Sequence, residues 1–216
     1  MRAEALERQN DGTWELPIDL NALPVQTEFI KDLTHRFQAY GGGLGNGKTT
    51  GGAVKAFLLS YCFPGNRGWI GRWDGKELRQ TTMSEVWNII PEIFIGKRND
   101  QQGYMKFKPQ YGGSEIFYGD FKDARSLRSL NLGWFWVDQA EEIDRERWEH
   151  AGSRLRLKLI LHDSNGKVIR NATTGKPVYA PTYGFATFNP EGTDSYLWQL
   201  FHPDSPSHLS EYKLYE

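Results

Sequence analysis

The sequence predicts an α/β fold, a mainly parallel central sheet layered between helices, with β-hairpins added to it. Three observations predict it. Gly42-Gly43-Leu44-Gly45-Asn46-Gly47-Lys48-Thr49 follows a short aromatic-rich run at 35–40 and precedes Val54, Phe57, Leu58 and Tyr61, which share one helical face. Strand, loop and helix are therefore expected in that order. Trp134-Phe135-Trp136-Val137 is a continuous apolar run ending in Asp138, the pattern of a strand buried on both faces. Tyr183-Gly184-Phe185-Ala186-Thr187-Phe188 reads as another core strand.

The remaining elements follow along the chain. Residues 1–23 are polar and weakly patterned, a lead-in that packs loosely or meets a neighbour; 24–216 read as one domain. Residues 23–30 carry Gln26 and end about a turn of helix and one strand before the glycine-rich stretch. A turn at 65–68 leads to a strand at 69–73, then a helix at 78–90 with Met83, Val86, Trp87 and Ile90 on one face and Pro91 closing it. Residues 104–108 alternate with period two, 109–113 turn, and 114–119 return as a hairpin. A short helix is expected at 124–130, carrying Arg125 and Arg128. Beyond Asp138, a helix with Trp148 and Leu155 carries Arg145, Arg147, Arg154 and Arg156. Residues 157–178 form an excursion whose Asn165-Gly166 pair signals a hairpin. A short helix at 196–201 and an alternating, strand-like tail at 209–216 complete the chain.

Composition narrows the function classes. With 38% hydrophobic residues, 14% aromatics and eight tryptophans in 216 residues, a packed core is expected and disorder is not. A net charge of −1 argues against a uniformly basic nucleic-acid coat but leaves room for a local basic face. Cys62 is alone, so neither a disulfide framework nor a thiolate zinc site is available, which fits a reducing cytoplasm. No apolar run reaches membrane-spanning length, and the N-terminus lacks a signal peptide's apolar core, so a soluble intracellular protein without membrane contact is expected.

The glycine-rich stretch matches G-x-x-x-x-G-K-[ST], the Walker A or P-loop pattern, without mismatch. Glycines let successive backbone N–H groups turn inward around a polyphosphate. Gly42, Gly43, Gly45, Asn46, Gly47, Lys48, Thr49 and Thr50 are the expected nucleotide-binding residues, with Lys48 reaching the β- and γ-phosphates and Thr49 ligating Mg²⁺. Four apolar residues followed by Asp138 form a Walker B pattern, so Asp138 is expected on the metal; the alternative is a helix-capping aspartate. The Gln26 amide suits adenine, donating to N7 and accepting from the N6 amine, unless it is simply a solvated residue at a helix start. With no Asn-Lys-x-Asp motif to read guanine, ATP and Mg²⁺ are the expected ligands.

In this order the motifs resemble the ATPase domain of the phage terminase large subunit, a DNA-packaging motor, across about residues 24–215. The resemblance rests on Gln26, the P-loop, Trp69-Ile70-Gly71-Arg72 with Leu78-Arg79 after it, and 114–119 with the helix that follows. It continues through 132–138, Arg154-Leu155-Arg156 and above all Thr187-Phe188-Asn189-Pro190, which looks like the family's coupling motif. It implies a three-layer αβα P-loop NTPase of the ASCE type, in which Asn189 senses the γ-phosphate. It also implies ATP hydrolysis coupled to moving double-stranded DNA into a procapsid in the host cytoplasm. Its expected partners are the portal protein, the terminase small subunit and further copies of the chain, as a ring when assembled and a monomer when isolated. The stretch after Asn189 is too short for that family's nuclease domain, so a motor fragment or a stand-alone ATPase without nuclease activity is expected.

Two positions depart from the family pattern. Leu44 stands where an arginine is common, so the phosphate-facing charge is expected from Arg72, Arg79, Arg125 or Arg128, in cis or from a neighbouring copy. Gln139 stands where a glutamate normally polarises the attacking water, and an amide accepts no proton at neutral pH. Either Glu142 or Glu141 supplies the base, or the chain holds ATP and hydrolyses it poorly. Gln139→Glu is then expected to raise turnover by orders of magnitude. A catalytically weakened nucleotide-binding module and a helicase-like translocase are the competing functions.

Overall fold

Runs that are apolar on both faces settle where helices cover both sides of a sheet. The computed structural model describes residues 24–43, 45–122, 127, 129–163 and 165–216. Among these, eight strands form one sheet: β1 (Phe37–Gly41), β2 (Arg67–Arg72), β3 (Ile95–Asn99), β4 (Tyr104–Phe107), β5 (Glu115–Asp120), β6 (Trp134–Asp138), β7 (Tyr183–Phe188) and β8 (Tyr212–Tyr215). Their order is β3-β4-β5-β2-β6-β7-β1-β8. Neighbours from β5 to β8 are parallel, while β3-β4-β5 is an antiparallel extension at one edge. The α/β class, mainly parallel sheet and added hairpin predicted from sequence are all present.

Alternation along β6 sorts its side chains onto two covered faces. Trp134 and Trp136 join Val54, Phe57, Ile70 and Phe185 beneath α1 (Pro24–Lys31), α2 (Lys48–Tyr61) and α4 (Met83–Ile89). Phe135 and Val137 face the other way, toward Trp148 of α5 (Arg145–Gly152) and Leu200 and Phe201 of α6 (Tyr196–Phe201). The result is three layers, and β7 lies between the P-loop strand β1 and the Asp138 strand β6. The carboxyl ends of all three therefore adjoin, where open α/β sheets place ligands.

Several local expectations change. Leu58 is only partly buried and Tyr61 is 39% exposed; Gly51, Gly52, Ala53 and Ala56 share the buried side of α2 with Val54 and Phe57 instead. A Cβ on Gly52 would stand 2.4 Å from the Trp136 ring, so the helix approaches the sheet too closely for anything larger. β2 begins at Arg67, inside the expected turn, because Arg67 and Gly68 pair with Glu115 and Ile116. The expected helix at 78–90 opens instead with α3 (Gly75–Glu77) and a wider π-turn at Leu78–Thr82. The edge strand β3 was not expected, since its residues are polar and mostly exposed. α5 ends at Gly152, which leaves Arg154 and Leu155 beyond it. Among its described residues the excursion at 157–178 contains only isolated bridges, among them His162↔Val168 across the Asn-Gly turn. The lead-in at 1–23, most of the helix expected at 124–130, Arg125 and Arg128 lie outside the described residues. No helix among the described residues is long and apolar enough to cross a membrane.

One buried cation fixes α1 against α2. Lys55 is fully buried, and its Nζ donates to the carbonyls of Phe29 at 2.7 Å, Asp32 at 2.9 Å and Ile30 at 3.3 Å. It thus caps the carboxyl end of α1, whose last carbonyls have no helical partners. Lys55→Met is expected to cost about 2–4 kcal/mol, because those buried acceptors lose their donor, and the urea midpoint reports it. Burial pushes the Lys55 ammonium down from 10.5 to about 7. Between those values the unfolded chain binds more protons, so the burial penalty is full below pH 7 and fades as pH rises. The stability gap between parent and Lys55→Met should therefore widen on going from neutral pH to about pH 9.

Candidate nucleotide-binding site

Between β1 and α2 the chain turns through glycines that adopt conformations costly for other residues. Gly45 has φ +82° and Gly47 φ +67°, and Lys48 begins the helix immediately afterwards. The first-turn N–H groups of α2 lack helical acceptors and a side-chain cap, and a helix start of this kind favours anions. Side chains brace the loop from behind. Lys48 Nζ donates to the Gly42 and Gly43 carbonyls at 2.7 and 2.6 Å. Tyr40 Oη donates to Asn46 O at 3.2 Å, and Gln26 Nε2 donates to Gly47 O at 2.7 Å. Gly51 leaves room for Gln26, whose Nε2 lies 3.1 Å from where a Cβ would stand. Thr50 points its hydroxyl at Glu85 Oε1, 2.5 Å away on α4.

Asp138, at the end of β6, is 3% exposed and gathers hydroxyls from three separate elements. Thr82 donates to Oδ2 at 2.6 Å and Thr187 to Oδ1 at 2.7 Å, while Thr49 Oγ1 lies 3.3 and 3.4 Å from the two oxygens. Trp136 Nε1 in turn donates to Thr187 Oγ1 at 2.8 Å, which fixes that hydroxyl's proton toward the carboxylate. Asp138 caps no helix; Asp144 caps α5. The Thr49 hydroxyl and Asp138 carboxylate are hard oxygen donors of the kind that could hold Mg²⁺. No group of three or more His, Cys, Asp or Glu side chains among the described residues could hold a metal.

Past Asp138 the backbone turns sharply. Gln139 has φ +51°, the only non-glycine among the described residues with positive φ, and it starts a tight turn at Ala140–Glu142. That turn sends its two carboxylates in different directions. Glu142 goes to Arg72, accepting from Nε at 3.1 Å and Nη2 at 3.0 Å. Arg72, 6% exposed at the end of β2, also donates to Gln139 Oε1, to Thr81 Oγ1 at 2.9 Å and to Glu77 at 2.5 Å. Its guanidinium is thus held by two carboxylates, an amide and a hydroxyl of its own chain. Glu141 goes instead to β7, where Oε1 accepts from Asn189 Nδ2 at 2.5 Å. Its Oε2 is buried without a hydrogen-bond partner, and burial raises the carboxyl above the usual glutamate range. Glu141 and Asp138 in turn act on Lys48, whose pKa burial lowers and their charges support.

These groups surround a cavity of about 200 Å³ lined by residues 45–50, Asp138, Gln139 and 187–189. It brings together Gly45, Asn46, Gly47, Lys48, Thr49, Thr50, Asp138, Gln139 and Asn189 of the expected set. Gly42, Gly43 and Gln26 brace the loop from outside the lining. Arg72 and Glu142 pair with each other outside the lining too. Arg79 donates to Gly75 O at 3.3 Å and lines a separate pocket with Trp87 and Arg98. Sequence reasoning missed Thr82, Glu77 and Glu85. Thr82 left a trace: it falls four residues after Leu78 and four before Val86, a polar residue on the buried stripe.

No protein-family model and no curated protein matches the chain. Solved structures do. The large terminase of a thermophilic bacteriophage superposes with a TM-score of 0.62 at 11% identity, covering 81% of this chain and 40% of that one. The Thermus phage P74-26 large terminase ATPase domain gives 0.60 at 14% identity, covering 93% of this chain and 85% of that domain. The former protein in complex with ATP-γ-S gives 0.59 at 13% identity, covering 92% and 44%. The chain therefore spans less than half of that large terminase and most of the ATPase domain alone. Its fold is that of large terminase ATPase domains.

Proposed function

We propose that this chain is the ATP-hydrolysing motor domain of a phage terminase large subunit, using Mg-ATP to move double-stranded DNA into a procapsid. One observation carries the proposal. The P-loop threonine Thr49 and the coupling-strand threonine Thr187 meet on a single buried carboxylate, Asp138. A glycine-rich loop alone would imply phosphate binding; joined through Asp138 to β7, it implies that the state of the phosphates is transmitted.

In this proposal the P-loop N–H groups and Lys48 hold the β- and γ-phosphates, and Gln26 Oε1, left over from the bond to Gly47, accepts from the adenine amine. Thr49 and Asp138 would hold Mg²⁺, which would supply positive charge beside the phosphates. Glu141 is the candidate proton acceptor. An ionised carboxylate only accepts, so it turns Asn189 Nδ2 toward itself and leaves Asn189 Oδ1 to orient a water. Arg72 is proposed to fix Gln139 and Glu142, and the phosphate-facing arginine to come from elsewhere, including a neighbouring copy in a ring. Portal protein and small subunit are the proposed further partners, and the host cytoplasm the proposed location.

The Gln139–Arg72 contact favours a second reading, a module that holds ATP without turning it over. Measuring binding and hydrolysis together, with and without linear duplex DNA, separates the two. The motor is expected to bind ATP in a Mg²⁺-dependent way, prefer it to GTP and hydrolyse it faster with DNA. Tight binding without turnover under any of these conditions favours the silent module, and no nucleotide binding overturns both.

A further inference from the structure

We infer that the excursion at 157–178, together with Arg156 just before it, is a basic arm that grips the phosphate backbone of double-stranded DNA. The choice of DNA rests on the proposed function, but the cationic surface does not. Arg156, Lys158, Lys167, Arg170 and Lys176 stand against a single acid, Asp163, within a chain of net charge −1. All five cations are exposed, and none forms an ion pair among the described residues. Asp163 is already committed, its Oδ1 accepting from Asn165 N and Lys167 N at 2.9 Å each.

The arm holds these charges in fixed places. Leu161 N donates to Val178 O, Val178 N to Ile169 O and Ile169 N to Leu161 O, each at 2.9 Å, so three extended segments are tied together. Asn171 Oδ1 braces the second turn, accepting from Thr173 N at 3.0 Å and Thr174 N at 2.9 Å. Each turn leaves through a left-handed glycine, Gly166 at φ +76° or Gly175 at φ +67°, followed at once by a lysine. A charge pre-positioned in this way loses less freedom when it meets a phosphate. Protein–protein interfaces are depleted in lysine, and this surface carries three, Lys158, Lys167 and Lys176. Phosphate contact is the better match, and it is sequence-tolerant.

Position separates the arm from the nucleotide. Leu157 N donates to Leu132 O, just before β6, and Ala180 N to Leu159 O. The arm is rooted at the amino end of β6, with Asp138 at the opposite end of that strand. Neutralising the arm should therefore leave ATP binding intact.

The test compares the parent chain with a K158Q/K167Q/R170Q/K176Q variant, binding labelled duplex DNA of mixed sequence over a salt series. Affinity is expected to fall at least tenfold at low salt. The slope of log Kd against log salt should drop by about 0.9 for each phosphate that the variant no longer neutralises. A K97Q/R98Q/K106Q/K108Q control, which removes as much charge from the β3–β4 edge, should bind DNA like the parent. Undetectable DNA binding by the parent, unchanged affinity and slope in the arm variant, or an equal loss in the control overturns the proposal. So does a variant that loses self-association in sedimentation while keeping DNA, because the arm then docks on a second copy. Fluorescent-ATP binding is followed in parallel. If ATP fails to bind while arm-dependent DNA binding persists, the nucleotide reading fails and this one stands.

Discussion

Asp138→Asn is expected to lower ATP turnover by about a thousandfold or more and to remove the Mg²⁺ dependence of ATP affinity. The substitution keeps the side chain's shape and deletes its charge. Stability should change by only about 1 kcal/mol, because the surrounding hydroxyls can rotate. The Asn amide can donate to Thr82 Oγ1, while its oxygen still accepts from Thr187, whose own oxygen stays occupied by Trp136 Nε1. The metal side has no such recourse, since a neutral amide is a poor substitute for the one carboxylate beside Thr49. Urea unfolding and magnesium-titrated ATP binding, run on the same samples, separate the two effects. Turnover near the parent's rate in Asp138→Asn would remove Asp138 from the metal and with it the Walker B assignment. Thr82→Val is expected to act more mildly, by about tenfold, since it loosens one hydroxyl on a carboxylate that keeps its charge.

The parts of this site that follow a local rule were legible in the sequence, and those made by chain crossings were not. Gly42 to Thr49 declares itself because phosphate wrapping needs glycine, lysine and threonine at fixed spacing. Trp134 to Asp138 and Tyr183 to Phe188 declare themselves because only strands buried on both faces stay apolar at every residue, and both were placed to within a residue. β3 was missed because an exposed antiparallel edge has no apolar pattern to show. On α2 the period placed Val54 and Phe57 in the core but misplaced Leu58 and Tyr61, because Gly51, Gly52 and Ala53 report close approach, which period-counting of large residues does not register. Glu141 and Glu142 are adjacent and chemically identical, so nothing in their order distinguishes them. A left-handed Gln139 does, by turning one onto β2 and the other onto β7.

That division leads to the second large effect. Glu141→Gln is expected to reduce kcat by about a hundred- to ten-thousandfold, the range for losing a positioned proton acceptor, with ATP affinity nearly unchanged. Glu142→Gln should leave turnover within a few-fold, because Arg72 retains Glu77 and Thr81. The structure also tempers the gain expected of Gln139→Glu. A carboxylate there would meet Arg72, already between Glu77 and Glu142, and be held as an ion pair instead of a free base. An increase of about tenfold or less is the revised expectation. The pH profile gives the independent check. Burial lifts the Glu141 carboxyl above the ordinary glutamate range, and its proposed role as proton acceptor needs it ionised. Parent kcat should therefore rise with pH along a limb above that range, and Glu141→Gln should flatten the limb along with lowering it. A variant that keeps both the rate and the limb would return the proton to solvent or to a neighbouring copy. Turnover that collapses in Glu142→Gln but not in Glu141→Gln would move the base to the Arg72 side of the turn.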